Sequence, residues 1–565
     1  MKQLTIYKFL SKYNSLKIIG IFFIALFSVS KPVKGQEKKA IDIYKDAIAA
    51  LEESNYVLAA NHFDKLIESR GYDLLSNTLY NGACIYALNN ENEKAFKILN
   101  HLATEAFYDN YDHISSDTDL KHLHGSENWK NLLVQIAENE KTKPMRRRAY
   151  IEEAILQAKN ILEKDNGNLW GANIWSDALL ILDEDYSAYS FDTLKNSQTT
   201  NNILHKAKFQ PNTLSFTNTR QLFQGKRYAT VLYDYLEDEG ETIIHELFHI
   251  YHLKQIDLNG DPIPYLDTYE GRLLLRTEYQ ALRNALAAAK KNSRKVAFQF
   301  LRDAIYFRSK RQSLNNELKK ELEIETLEGL AQYTGYQLGP RKDKFQLAID
   351  ELTFWESSDT YTRNFPYATG PAYGFLFDYL VISWRSNLDH LYDFKQIAMN
   401  TIFTNQPNIT KAYEIEAKRR NNFNTIESEE LEKKRKQDQL ITFYSELFYK
   451  SPVVKVKLEK GYAASYDMNG TMMLDDDIVY SQISGQGHRA IDFGNFTTVT
   501  GKDRLGTGGI LYKKQLDEWW FPQPTYIKEN VIRGDNYEIQ LNSGWQIEKV
   551  KNTEDYIIQK KSTQH

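Results

Sequence analysis

Residues 241–252 read ETIIHELFHIYH. Inside them stand His245, Glu246 and His249, an H-E-x-x-H pattern. An α-helix turns roughly 100° per residue, so positions i and i+4 share a face. His245 and His249 therefore aim two imidazoles at one point, and Glu246 stands beside them. Two neutral nitrogens that hold a metal ion, next to a carboxylate that works on water, are the chemistry that needs this spacing. Ile243, Ile244, Leu247, Phe248, Ile250 and Tyr251 surround the set, which predicts a helix buried nearly all round. Buried histidines and a glutamate require partners, because unpaired burial costs several kcal/mol. The competing reading is a pair of core histidines. With 12 histidines in 565 residues, the pattern is rare enough by chance to favour the metal.

A catalytic zinc ion takes three protein ligands and keeps one position open. His252 lies one turn further along the same helix. Three ligands from one straight helix cannot converge on a tetrahedral ion, so His252 is expected to cap or pack. Two glutamates downstream compete for the third place. Glu278, in LLLRTEYQALRNAL, shares a stripe with Leu275, Leu282 and Ala285. Glu328, in ETLEGLAQYTG, lies among Ile324, Leu327 and Ala331, and Gly329 allows close helix approach. For either, the alternative is an ion pair or a hydrogen bond to a ligand histidine.

Glu328-Gly329-Leu330-Ala331-Gln332-Tyr333 resembles the E-G-[FL]-A-x-Y segment of gluzincins, a class of zinc metallopeptidases that includes aminopeptidases. The resemblance implies Zn2+ as cofactor and Glu328 as third ligand beside His245 and His249. Glu278-Tyr279-Gln280-Ala281 fits a looser E-x-x-A form, so Glu278 stands as the alternative third ligand or as a partner of a ligand. Glu328 lies further from His249 than in many gluzincins, and 269–310 supplies an inserted helical pair. Arg227–Tyr235, just ahead of the motif, is expected to be an edge strand that pairs with extended substrate. The stretches LWGANIW, HELFHIYH, EGRLLLRTEYQALRNAL, EGLAQYTG, FPYATGPAYG and GDNYEIQLNSGW also resemble a bacterial family of exported H-E-x-x-H proteins. That likeness implies one fold from about 145 to 560 and no particular substrate.

The N-terminus bears on location. Lys2, Lys8, Lys12 and Lys17 precede IIGIFFIALFSV, Ile18–Val29. The run is too short to span a bilayer comfortably but suits a signal-peptide core. Cleavage is expected near Gly35-Gln36, which predicts an exported chain, periplasmic or extracellular, with no membrane span after cleavage. The composition is 42% hydrophobic and 26% charged, with a net charge of −4, which reads as globular and gives no basic field for nucleic acid. The lone cysteine, Cys84, excludes an internal disulfide and a thiolate zinc site, and reads as a small buried hydrophobe.

Residues 36–140 show helical spacing throughout. Tyr80–Leu88 followed by Asn89–Ala95 resembles a tetratricopeptide repeat, which implies paired helices and a docking surface for a protein partner, or else a helical spacer. A further helix is expected at 145–165. LWGANIW, ALLILDED and RYATVLYDYL predict a small β region. From 240 to about 450 the chain reads as helical, with the charged stretch 411–440 as an exposed helix. From 452 to 565, PVVKVKLE, IVYSQIS, NFTTVTG, YEIQL, WQIEKV and DYIIQ predict a small all-β domain.

The expected architecture is α+β and multidomain: a signal peptide at 1–35, a tetratricopeptide-like segment at 36–140, a zincin-like domain at 145–450 and a β domain at 452–565. The expected function is exported zinc-dependent hydrolysis of peptide bonds in a peptide or protein substrate. Glu246 acts as general base, and Tyr367 and Tyr373 in FPYATGPAYG are the candidates for stabilising the oxyanion. Two other readings compete. One is a non-catalytic binding protein that uses its helices and β domain; an intact Glu246 weighs against it. The other is a zinc hydrolase of a non-peptide amide or ester.

Overall fold

The structure is a computed structural model. It describes residues 34–72, 74–200, 203–210, 213–314, 316–358, 360–385, 388–401, 410–458, 465–466, 471–480, 483–484, 490–492, 494–500 and 509–561. The apolar run Ile18–Val29 lies outside the described residues. The chain is mixed α and β, with helices first, strands last, and a further sheet between. It divides into two compact units. The first holds residues up to Ile256 together with Thr334–Arg341 and Asn387–Asp389, and the second holds the rest.

The first unit begins with α1 (Lys34–Glu52), α2 (Tyr56–Arg70), α3 (Ser76–Leu88), α4 (Asn92–Thr104) and α5 (Tyr111–Ser116). Helices α1 and α2 pack as a pair, as do α3 and α4. Polar turns separate them, and the Asn55 side chain caps α2 by accepting from Leu58 N. Gly82 shows why small residues are needed here: a Cβ at that position would fall 2.0 Å from the Phe63 ring. One core cluster runs through all five helices, and Cys84 is buried in it.

Helix α6 (Glu127–Asp165) is 39 residues long and contains Pro144. A separate helix is expected at 145–165; the structure joins it to the preceding turns without interruption. Leu132 and Ile136 face the N-terminal core, while Ile151, Ala154, Ile155, Ala158 and Leu162 are buried in the second half. The Asn139 amide donates to Ala103 O at 2.7 Å and Tyr108 O at 3.0 Å, which ties α6 to the end of α4.

A six-stranded sheet follows, made of β1 (Leu179–Asp183), β2 (Ser187–Ser190), β3 (Gln198–Thr200), β4 (Leu204–Lys208), β5 (Thr219–Phe223) and β6 (Lys226–Leu232), in the order β3-β4-β2-β1-β6-β5. Only β1 and β6 pair in parallel; Leu179 lies opposite Ala229. All five residues of β1 are buried, as a central strand requires. Two expectations are corrected here. LWGANIW forms turns rather than a strand, with Gly171 at φ +77°. The strand within Arg227–Tyr235 is not an edge: it pairs with β1 on one side and β5 on the other, and β5 is the edge next to it. After β6 a 3-10 turn, Tyr233–Asp238, leads into α7 (Glu241–His252), which packs on β6 and β5.

The second unit is helical to residue 450: α8 (Tyr269–Lys290), α9 (Arg294–Ser313), α10 (Leu318–Ile324), α11 (Leu330–Leu338), α12 (Lys344–Glu356), α13 (Phe365–Leu380), α14 (Phe394–Thr401), α15 (Lys411–Arg420) and α16 (Phe423–Ser445). Helices α8 and α9 form the helical pair expected over 269–310 and pack on each other. A π-helical turn, Glu325–Gly329, joins α10 to α11, and α11 from Thr334 onward belongs to the first unit. The charged stretch 411–440 is not simply a solvated face. Glu430 is buried and accepts from Arg272 Nε at 2.9 Å and Arg276 Nη1 at 2.7 Å.

Strands fill 453–560 among the described residues, in sheets of seven, five and two strands. Every sequence-predicted segment contributes: Val453–Val456, Asp477–Tyr480, Phe496–Thr500, Tyr537–Leu541, Trp545–Lys549 and Tyr556–Lys560. The two larger sheets share one core, in which Val454, Trp519 and Phe521 meet Phe496, Ile539 and Leu541. The end of α16 and the π-helical turn after it, Glu446–Lys450, cover the other side through Tyr444 and Phe448. No helix among the described residues is long and apolar enough to cross a membrane.

Candidate metal centre

Helix α7 starts where β6 and its 3-10 turn bring Asp238 beside the first turn. Asp238 accepts from Thr242 N at 2.7 Å and also from the Thr242 hydroxyl, which fixes the entry to the helix. Burial pushes the Asp238 carboxyl up from its ordinary range. Gly240 precedes the helix at φ +97°, a left-handed conformation that glycine adopts without strain.

The segment Thr334–Arg341 lies against the same turn. A Cβ on Gly335 would approach Glu241 O to 2.8 Å and His245 Cβ to 3.7 Å, so only glycine seats it there. Arg341 forks onto both carboxylate oxygens of Glu241, which is buried. Trp170 of LWGANIW packs against Phe248 and donates from Nε1 to Thr334 Oγ1 at 3.0 Å. Thus α7 is held at its first turn by a carboxylate–guanidinium fork and along one side by an anchored tryptophan.

On this helix His245 Nε2 and His249 Nε2 lie 3.1 Å apart, with the rings at 78°. One ligand atom from each histidine and one Glu246 oxygen all lie within 4.8 Å of one another. The three are 7%, 7% and 5% exposed, which leaves them just open, whereas His252 is sealed at 0%. Two nitrogens bonded to one tetrahedral zinc at about 2.0–2.1 Å stand roughly 3.3 Å apart. The observed spacing fits that demand, so the donor set suits zinc. His252 packs on Phe248 at 5.0 Å and is not part of the cluster, as the single-helix geometry predicts. Burial, with His249 nearby, brings its imidazole down to about 4.

The remaining sequence-predicted residues belong to the second unit. Glu278, on α8, is fully buried. Its Oε1 accepts from Arg308 Nε at 2.8 Å and Tyr373 Oη at 2.9 Å, and its Oε2 accepts from Arg311 at 3.0 and 3.3 Å. Four donors occupy about four lone-pair sites, so this carboxylate is committed to an ion-pair network. Glu321 and Glu325 complete the network on Arg311 and Arg308. Burial pushes the Glu325 carboxyl up and the Tyr373 phenol well up, while Arg311 opposes the burial of Glu321 and its carboxyl ends below its ordinary value. Tyr373 therefore serves the network.

Glu328 lies in the π-helical turn and is half-buried. Its Oε2 accepts from Tyr367 Oη at 2.9 Å. Single-turn π segments inside helices recur at functional sites, because the extra residue re-aims a side chain. A second group, Cys84 with Asp117 and Asp119, also brings ligand-type atoms together. There Asp117 already accepts from Tyr80 Oη at 2.9 Å, and burial pushes the Cys84 thiol up, so the thiol stays protonated.

Sequence reasoning missed Asp238, the Glu241–Arg341 fork and the Arg308 network. The arginines were readable only as charge on helices, since their partners come from distant segments. Compared with protein-family models, curated proteins and solved structures, the chain matches none.

Proposed function

We propose that the chain is an exported zinc-dependent hydrolase, most simply a metallopeptidase. The observation that carries this reading is the 3.1 Å convergence of His245 Nε2 and His249 Nε2 with the Glu246 carboxylate beside them. His245 and His249 hold the ion. Glu328 is taken as third ligand on the EGLAQY resemblance, supported by the fully engaged oxygens of Glu278. When bound, zinc supplies a Lewis acid for a carbonyl and for water. Glu246 accepts a proton as water adds to the carbonyl carbon, then passes it to the leaving nitrogen as the C–N bond breaks. The low exposure of the three residues keeps bulk water from competing for that proton. Export rests on the lysine-flanked run Ile18–Val29.

The test is to purify the chain, count zinc per molecule, and assay a peptide library with and without chelator. One zinc per chain and chelator-sensitive cleavage are expected. Glu246→Gln is expected to keep its zinc and lose on the order of 10²–10⁴-fold in rate. Cleavage that survives Glu246→Gln overturns the mechanism. A zinc-free, inactive chain returns the binding-protein reading.

A further inference from the structure

Two helical segments meet around Glu328 with almost no side chain between them. A Cβ on Gly370 would fall 2.4 Å from Gly329 Cα and 2.3 Å from Gly329 O, so α13 and the π-helical turn touch backbone to backbone. Tyr367 lies three residues before Gly370, which places it on the same side of α13. The turn is pinned independently: Glu325 takes both Arg308 terminal nitrogens at 2.6 Å and the Thr369 hydroxyl, and Thr326 Oγ1 accepts from Tyr392 N at 2.9 Å. The Tyr367 ring is pinned as well. It stacks on Trp355 at 5.4 Å and 25°, and Trp355 Nε1 is anchored to Glu351 at 2.9 Å. The phenol ring and the turn that carries Glu328 are thus each held by contacts that do not depend on the 2.9 Å bond between hydroxyl and carboxylate.

We propose that Tyr367 is a positioning residue for Glu328: its hydroxyl sets which way the Glu328 carboxylate turns, and so preorganises it to bind zinc. This rests on the reading of Glu328 as third ligand. It replaces the expectation of Tyr367 as an oxyanion donor with a different role. A carboxylate ligand needs one of two rotations about its terminal bond, and a phenol O–H donating to Oε2 selects one. Such outer partners of metal ligands are worth about 10–100-fold in metal affinity.

The experiment uses the full chain and zinc itself. Zinc dissociation constants are measured by chelator competition for wild type, Tyr367→Phe, Glu328→Ala and the double variant, and peptide cleavage is measured at saturating zinc. Tyr367→Phe keeps the ring on Trp355 and removes only the hydroxyl. It is expected to weaken zinc about 10–100-fold while kcat at saturating zinc stays within about threefold. In the Glu328→Ala background the same substitution is expected to change affinity no further, because a positioning hydroxyl exerts its effect on zinc through the carboxylate it orients. Equal weakening in both backgrounds indicates a merely structural role and overturns the proposal. Unchanged zinc affinity in Tyr367→Phe overturns it too, and a lost kcat in that case assigns Tyr367 to the substrate. If Glu328→Ala itself binds zinc as wild type does, the ligand assignment fails first and takes the proposal with it.

Discussion

Arg308 donates to Glu325 through both terminal nitrogens at 2.6 Å, and neither residue has any exposure. The same guanidinium reaches Glu278 from Nε, so one cation answers two buried carboxylates. A buried pair adds little over a well-packed apolar substitute, but breaking one side leaves an uncompensated charge. Arg308→Ala is therefore expected to cost about 3–5 kcal/mol, read as a drop in the urea midpoint. The exposed pair Arg435–Glu432 is the control: Arg435→Ala is expected to move the midpoint hardly at all.

The seam between Gly370 and Gly329 makes a second prediction. Alanine at 370 must displace backbone rather than a side-chain tip. Gly370→Ala is expected to lower stability by about 1–3 kcal/mol or more, the usual cost of overpacking a fixed site. It should also weaken zinc binding, since it moves Tyr367 away from Glu328. Gly125→Ala offers the contrast: it sits at φ +86° with nothing within 4 Å of its Cβ, so it carries only the cost of a left-handed backbone. That is about 1–2 kcal/mol, with zinc affinity unchanged.

His252 makes the pH dependence predictable. Its ordinary value is about 6.5, and burial holds the folded value near 4. Between these values the unfolded chain binds the proton and the folded chain does not. Stability from this group is therefore complete above about pH 6.5 and is lost as pH falls towards 4. The amount is roughly 3 kcal/mol. In His252→Phe that part of the slope should vanish, so the wild-type urea midpoint should fall more steeply than the variant's as pH falls from 6.5 to 4. A wild-type midpoint that falls no more steeply than the variant's refutes the assignment.

Much of this was readable because it is local. The spacing of His245 and His249 follows from helix geometry alone, and the strands Val453–Val456, Tyr537–Leu541 and Tyr556–Lys560 follow from alternation bounded by turns. What escaped depends on partners outside the segment being read. Whether Lys226–Leu232 is an edge depends on Thr219–Phe223, whose TRQLF carries an exposed Leu222 and no clean alternation. Glu430 sits inside EELEKKRKQ and looks solvated until Arg272 and Arg276 arrive from the far end of the unit. LWGANIW has the aromatics of a strand, but it serves the site differently, by carrying Trp170 to Phe248 and Thr334. The helix expected from 145 does not start there: α6 continues through Pro144, buried on both sides at Asn139 and Arg147.

The two glutamates that compete in the sequence are separated by a paired substitution. Glu278 has every oxygen site filled by Arg308, Arg311 and Tyr373 and no exposure. Glu278→Gln removes the charge those arginines answer, so its cost should fall on stability, about 3–5 kcal/mol in the urea midpoint. The folded protein should keep its zinc. Glu328 is half-buried and accepts from Tyr367, a bond that the amide oxygen of glutamine can keep, so Glu328→Gln should cost less stability than Glu278→Gln. Its cost should fall on zinc, because a neutral amide is a poorer ligand than a carboxylate and leaves the ion with one charge fewer to balance it. Chelator competition and urea titration on the same two variants give four numbers, and the expected pattern is a crossed one. A Glu278→Gln protein that folds as wild type does and loses its zinc reverses the assignment of the third ligand.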